Sequence, residues 1–146
     1  MLCLVFQAAG SHYALEASQA RAIVPCAALR PCPGAPPWIA GLLNYHGCPA
    51  PVIDFSRLLG AAAGAIRLST RIILLACPPP APPSRLVGLL AERVESLRLA
   101  PESAQPAGVA AAPYLDGLVC RGLGMVQMVK TEKLLVPEYL PELFGA

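Results

Sequence analysis

Short aliphatic runs separated by turn residues set the rhythm of this chain. Leu2 to Gln7, Arg71 to Cys77 and Leu86 to Leu90 are such runs, and each reads as a strand. GLLNYHG (Gly41 to Gly47) leads into CPAPVIDF (Cys48 to Phe55): an apolar run, a polar tip and a second apolar run. That order predicts a hairpin, with Gly47 supplying the positive φ that a tight turn demands. Phe55 to Gly60 reads as one helical turn stopped by Gly60, with Asp54 as its N-cap. Glu132 to Val136 repeats that ending; Lys130 replaces Asp54 and cannot cap, whereas the adjacent Thr131 can. Trp38 to Leu43 is apolar throughout, which predicts a strand buried on both faces. The chain carries 17 prolines and 12 glycines, so few windows remain for a long helix.

The pattern occurs twice. Ala35 to Leu59 aligns without a gap on Ala111 to Leu135, at an offset of 76. Identities fall at Ala35/Ala111, Pro37/Pro113, Gly41/Gly117, Leu42/Leu118, Leu58/Leu134 and Leu59/Leu135. Every match is apolar or a backbone-special residue, as a shared scaffold requires. The tips differ: Tyr45-His46 stands against Arg121-Gly122. Upstream, Tyr13 to Ile23 resembles Val87 to Leu97 at an offset of 74. Two copies of one small unit, with many short strands and no long helix, argue for two small antiparallel barrels packed together. Between the strands, CPPPAPPSR (Cys77 to Arg85) predicts a stiff polyproline-like loop, and GAAAGAIR (Gly60 to Arg67) a flexible linker.

Composition narrows the function. The 146 residues are 55% hydrophobic, with a mean hydropathy of +0.56. The longest uncharged window, Pro31 to Ile53, holds six prolines and cannot form a spanning helix. MLCLVFQAAG has no basic residue and reads as neither signal peptide nor anchor. The expectation is a soluble cytoplasmic protein whose surplus apolar surface covers a partner site. Net charge is +2 without a basic block, and aromatic content is 5%, a poor footprint for nucleic acid. The six cysteines form no CxxC, so buried free thiols are expected rather than a metal site. Ser11-His12 lacks a surrounding GxSxG, and Gly60 to Arg67 lacks the Lys-Ser/Thr of a phosphate-binding loop. No catalytic constellation, cofactor or metal is expected. On the residues alone, His46 is either a plain turn residue or part of a partner surface.

The blocks FQAAGSHYALEASQARAI, PGAPPWIAGLLNYHG, PAPVIDFSRLLG, TRIILL, LVGLLAERVESLRL and YLDGLV resemble, in this order, the CheW-like family of chemotaxis adaptor domains. NYHGCPAPVID, STRI and AERVESLR look most like the adaptors of Wsp-type surface-sensing pathways, the WspB-like branch. The resemblance implies an all-β fold of two packed five-stranded SH3-like antiparallel barrels with short helical turns. It implies one domain over 1–146, with lobe 1 at roughly 10–70 and lobe 2 at roughly 71–135, the N-terminal strand and C-terminal tail packing on the lobes. It implies no enzyme, but an adaptor between a methyl-accepting chemoreceptor's cytoplasmic tip and the regulatory domain of a CheA-type histidine kinase. The protein would be recruited to membrane-associated receptor arrays without inserting in the membrane. In the Wsp-like case its output is cyclic-di-GMP synthesis. The alternative is a stand-alone SH3-like binding module with no kinase partner. The family's N-x-R-G turn falls on Asn44, Tyr45, His46 and Gly47, with His46 in the place of Arg; its V-x-E-I strand falls on Ala20 to Ile23, with Ala22 in the place of Glu. The implied partner-binding residues are Ala22, Ile23, Leu42, Asn44, Tyr45, His46, Gly47, Val52 and Ile53.

Overall fold

The computed structural model describes residues 1–26, 28–78, 85–100, 104–109, 112–122 and 124–135. β1 (Leu2–Ala8) and β2 (Ser11–Glu16) form a hairpin, and a 3-10 turn (Ala17–Gln19) leads to β3 (Ala20–Pro25). β4 (Ile39–Tyr45) and β5 (Cys48–Asp54) form a second hairpin, closed by α1 (Phe55–Leu58). β6 (Thr70–Ala76) and β7 (Leu86–Arg98) follow, then β8 (Leu115–Arg121), β9 (Gly124–Val129) and α2 (Thr131–Leu134).

β7 is the long strand through both barrels. Its first half pairs with β6 and, in parallel, with β5 through Val52↔Gly88. Its second half pairs with β1, from Gln7↔Glu92 to Leu2↔Arg98. Barrel 1 is therefore β3, β4, β5, β6 and the first half of β7. Barrel 2 is β1, β2, β8, β9 and the second half of β7. The lobes are interleaved, which corrects the expected split at 70/71: the N-terminal hairpin builds barrel 2, and β6 builds barrel 1. Hairpin patterning also predicts only antiparallel pairs, whereas β5 with β7 and β2 with β9 are short parallel ladders. Their partners lie far apart in the chain, so no local pattern reports them.

The duplication is visible hydrogen bond by hydrogen bond. Arg30 and Leu42 exchange two backbone bonds of 2.9 and 2.8 Å, as Gln105 and Leu118 do at 2.9 and 2.7 Å. Asp54 N–H donates to Trp38 O at 2.8 Å, and Lys130 N–H to Tyr114 O at 2.8 Å. Val52↔Gly88 in barrel 1 has its counterpart in Ala14↔Met128 of barrel 2. The repeated glycine has a steric cause. A Cβ on Gly41 would lie 2.8 Å from Arg30 O, and one on Gly117 would lie 3.0 Å from Gln105 O. Glycine lets the crossing segment approach closely enough to close each barrel.

Three apolar cores result among the described residues. Leu43, Ala50, Val52, Ile72 and Leu74 fill barrel 1. Cys3, Val5, Ala14, Val119, Val126 and Met128 fill barrel 2. Leu4, Phe6, Tyr13, Leu15, Ile53, Phe55, Ile73, Leu75 and Tyr114 fill the seam between them. β1 and β6 thus send alternate side chains into a barrel and into the seam, which is why LCLVF and IILL are apolar without alternation. β4 departs from expectation: Ala40 is exposed and Leu42 half-buried, because its outer face meets solvent rather than the other barrel. Phe55 centres the seam, with ring centroids 5.2 Å from Tyr13, 5.9 Å from Phe6 and 6.0 Å from Tyr114. Edge-on packing of this kind adds about 0.5–1.5 kcal/mol per pair beyond burial.

Asp54 caps α1 as expected, its Oδ1 accepting from Arg57 N–H at 3.3 Å. In the second copy Lys130 occupies the cap position without a side-chain capping bond, and Thr131 lies inside α2 and is buried, so Thr131 is not the cap. Most of the Cys77 to Arg85 loop lies outside the described residues; at its base Cys77 N–H donates to Arg85 O at 3.0 Å. Cys3 and Cys77 are buried free thiols, but Cys32, Cys48 and Cys120 are exposed. Burial pushes the Cys3, Cys26 and Cys77 thiols above their ordinary value.

Candidate functional site

The β4–β5 hairpin ends in a two-residue turn between paired Tyr45 and Cys48. His46 (φ +52) and Gly47 (φ +84) both adopt positive φ, the geometry of the turn whose twist matches a hairpin. Gly47 adopts it freely, whereas His46 adopts it against an ordinary side chain's preference. Asn44 steadies the tip: its Oδ1 accepts from Gly47 N–H at 2.9 Å. The His46 ring stands edge-on to Tyr45 at 4.3 Å.

Register assigns the two faces of the hairpin. Leu42 pairs with Pro51 and Asn44 with Pro49, so these four share the outer face. Leu43 pairs with Ala50, facing the barrel 1 core. On β3 the same alternation exposes Arg21, Ile23 and Pro25 and turns Ala22 and Val24 inward. The residues implied by the family resemblance therefore divide. Asn44, His46 and Gly47 are exposed, Leu42 is half-buried, and Ile23 is 42% exposed. Ala22 and Tyr45 are half-buried and pack on the barrel 1 core beneath that surface. Val52 and Ile53, at 0% and 1% exposure, belong to the cores and present no side chain to a partner. The P-V-I-D run places them there because β5 is covered by barrel 1 on one face and the seam on the other.

A polar network that the sequence did not flag sits beside α1. Glu92 accepts hydrogen bonds from the hydroxyls of Ser69 (2.7 Å) and Thr70, and Thr70 Oγ1 accepts from Arg67 N–H at 2.8 Å. These bonds tie the segment after α1 to β7. The sequence signal was STR followed by a Glu at the end of an apolar run, too weak to read without the fold. Among the described residues, no group of three His, Cys, Asp or Glu side chains could hold a metal ion. No described helix is long and apolar enough to cross a membrane.

The fold is all-β and SH3-like, and the hairpin's outer face is open to solvent. Comparison with solved structures gives the scaffolding protein TtCheW from Thermoanaerobacter tengcongensis, with a TM-score of 0.81 at 21% identity over 94% of this chain and 89% of that one. A 73-residue stretch is 34% identical to the chemotaxis protein CheW of Bacillus subtilis, over 50% of this chain and 47% of that protein. A 97-residue stretch is 41% identical to a Chloroflexus aurantiacus protein named protoheme IX farnesyltransferase, over 66% of this chain and 16% of that protein. The chain thus spans about half the length of one curated relative and a small part of the other. The model of the CheW-like domain matches residues 2–138, and the chain belongs to the CheW-like domain family.

Proposed function

We propose that this protein is a non-catalytic adaptor coupling a methyl-accepting chemoreceptor to a CheA-type histidine kinase. The observation that carries the reading is family membership over residues 2–138. The Bacillus relative and the scaffolding-protein fold support it. The partner surface is the outer face of the first barrel: Ile23, Leu42, Asn44, His46 and Gly47, with Ala22 and Tyr45 supporting them from below. Apolar strand residues form its centre and polar turn residues its rim, the usual anatomy of a protein interface. A cytoplasmic location and recruitment to receptor arrays follow from the same reading. A narrower proposal places the protein in a Wsp-type pathway with cyclic-di-GMP output, supported by NYHGCPAPVID and AERVESLR. Co-purification with the regulatory domain of the cognate kinase tests the adaptor reading. Stable capture is expected; no binding at tens of micromolar overturns it and leaves a stand-alone binding module.

A further inference from the structure

Barrel 1 carries an apolar groove that barrel 2 interrupts. Ala28 and Leu29 beyond β3, Ala40 on β4, Ile66 in the segment after α1 and Leu90 on β7 line a space of about 490 Å³. The repeat and the crossing bridges assign counterparts to four lining positions: Ala104 for Leu29, Asp116 for Ala40, Lys130 for Asp54 and Glu16 for Leu90. In barrel 2 the matching space is divided. Ala104 and Asp116 line both a cavity of about 100 Å³, shared with Glu16 and Lys130, and a separate one of about 470 Å³. Asp116, which lines both cavities, pairs with Lys130 of the smaller one at 3.4 Å. The scaffold therefore tolerates charge in this place, and the open apolar form in barrel 1 is a property of its own residues.

The exposed charge in the groove's lining is basic: Arg57 lines it and is exposed. Arg30 and Arg67, next in sequence to the lining residues Leu29 and Ile66, are exposed as well. The groove's own acid, Asp54, is buried and accepts from Arg57 N–H; Glu92 in the adjoining cavity is engaged by Ser69 and Thr70. We propose that this groove is a docking site for an acidic segment of a partner protein, which seats a large apolar side chain against Leu29, Ile66 and Leu90. Its volume falls within the roughly 300–1,000 Å³ of ligand-binding clefts, and complementary charge at the mouth selects the segment. None of its lining residues belongs to the hairpin surface assigned above, so its failure leaves the coupling reading standing.

The probe is a synthetic amphipathic peptide of about twelve residues, with Glu on one face and Leu and Phe on the other. A second peptide carries Lys for every Glu. Each is titrated into the isotope-labelled full chain at low salt. The acidic peptide is expected to shift the amides of Leu29, Ala40 and Ile66, and to bind at least about tenfold more tightly than the Lys peptide. Ala40→Asp, which copies the barrel 2 residue at an exposed position, should abolish the shifts while Asp116→Ala leaves them intact. If Ala40→Asp perturbs folding, Ala63→Glu at the exposed side of the groove takes its place. Equal binding of both peptides, shifts confined to other surfaces, no binding below about 1 mM, or binding unaffected by a folded Ala40→Asp or Ala63→Glu variant would overturn the proposal.

Discussion

The two barrels share a backbone plan and differ in what they show to solvent. Barrel 1 ends its hairpin on Asn44-Tyr45-His46-Gly47, caps its helical turn with Asp54, and leaves its groove open. Barrel 2 has Arg121-Gly122 at the tip, Lys130 in the cap position, and the charged pair Asp116–Lys130 where barrel 1 has Ala40 and Asp54. What the copies keep is backbone-critical: the closing glycine, the crossing bridge and the leucines of the seam. Much of what they change is surface, although the buried Phe55 of the first copy is Thr131 in the second. A duplicated scaffold thus separates the demands of folding from those of recognition, and the positions that diverge without structural need are candidates for function.

Paired substitutions test how equal the copies are. Phe55→Ala should cost about 3–5 kcal/mol, because it removes a fully buried ring that joins three aromatic neighbours. Thr131→Ala at the counterpart position should cost about 1 kcal/mol. Urea midpoints compare them, and equal losses would show that the seam is not centred on Phe55. Next come the closing glycines. Gly41→Ala meets both a 2.8 Å backbone clash and a φ of +154, and should lose about 1–3 kcal/mol. Gly117→Ala meets only contacts of 3.0 Å and should lose less, seen as a smaller fall in Tm. Asp54→Ala should cost about 1 kcal/mol through the lost cap. Lys130→Ala should stay within about 0.5 kcal/mol, since its ion pair is 41% and 47% exposed.

The thiols give the smallest effect. Cys32, Cys48 and Cys120 should react with a thiol reagent at neutral pH in the native state, and Cys3 and Cys77 only on unfolding. Because burial raises the Cys3 and Cys77 thiols above their ordinary 9.0, the unfolded chain ionises first. Stability at these sites is full below about pH 9 and declines as pH rises beyond it. A urea midpoint that does not fall between pH 8 and a pH about one unit above the ordinary thiol value would contradict that burial.

Much of the fold was legible because the repeat is written in residues with backbone consequences. Gly41/Gly117, Pro37/Pro113 and the paired leucines could be aligned without coordinates, and the Asp54 cap could be read from its place before Phe55. The interleaving of the barrels could not. β7 reads as a strand only to Leu90, because Glu92, Arg93 and Glu95 break the apolar run where the strand passes from barrel 1 to barrel 2. For the candidate surface, the exposed tip was legible and the facing of β5 was not. Val52 and Ile53 are consecutive, and both are buried because β5 lies between a barrel interior and the seam. The groove was invisible to sequence, since its lining comes from five segments that meet only in the fold, and Ala40 within it has no chemistry of its own to announce it.

The central claim is that recognition resides on the outer face of barrel 1. Its most direct test is an amide chemical-shift map of the full chain on addition of the cognate kinase's regulatory domain and, separately, of a chemoreceptor tip. At least one partner should shift Ile23, Leu42, Asn44, His46 and Gly47, and His46→Ala should weaken that binding while moving stability by no more than about 0.5 kcal/mol. Shifts confined to β8 and β9 for both partners, or a large loss of stability with binding unchanged, would contradict the account.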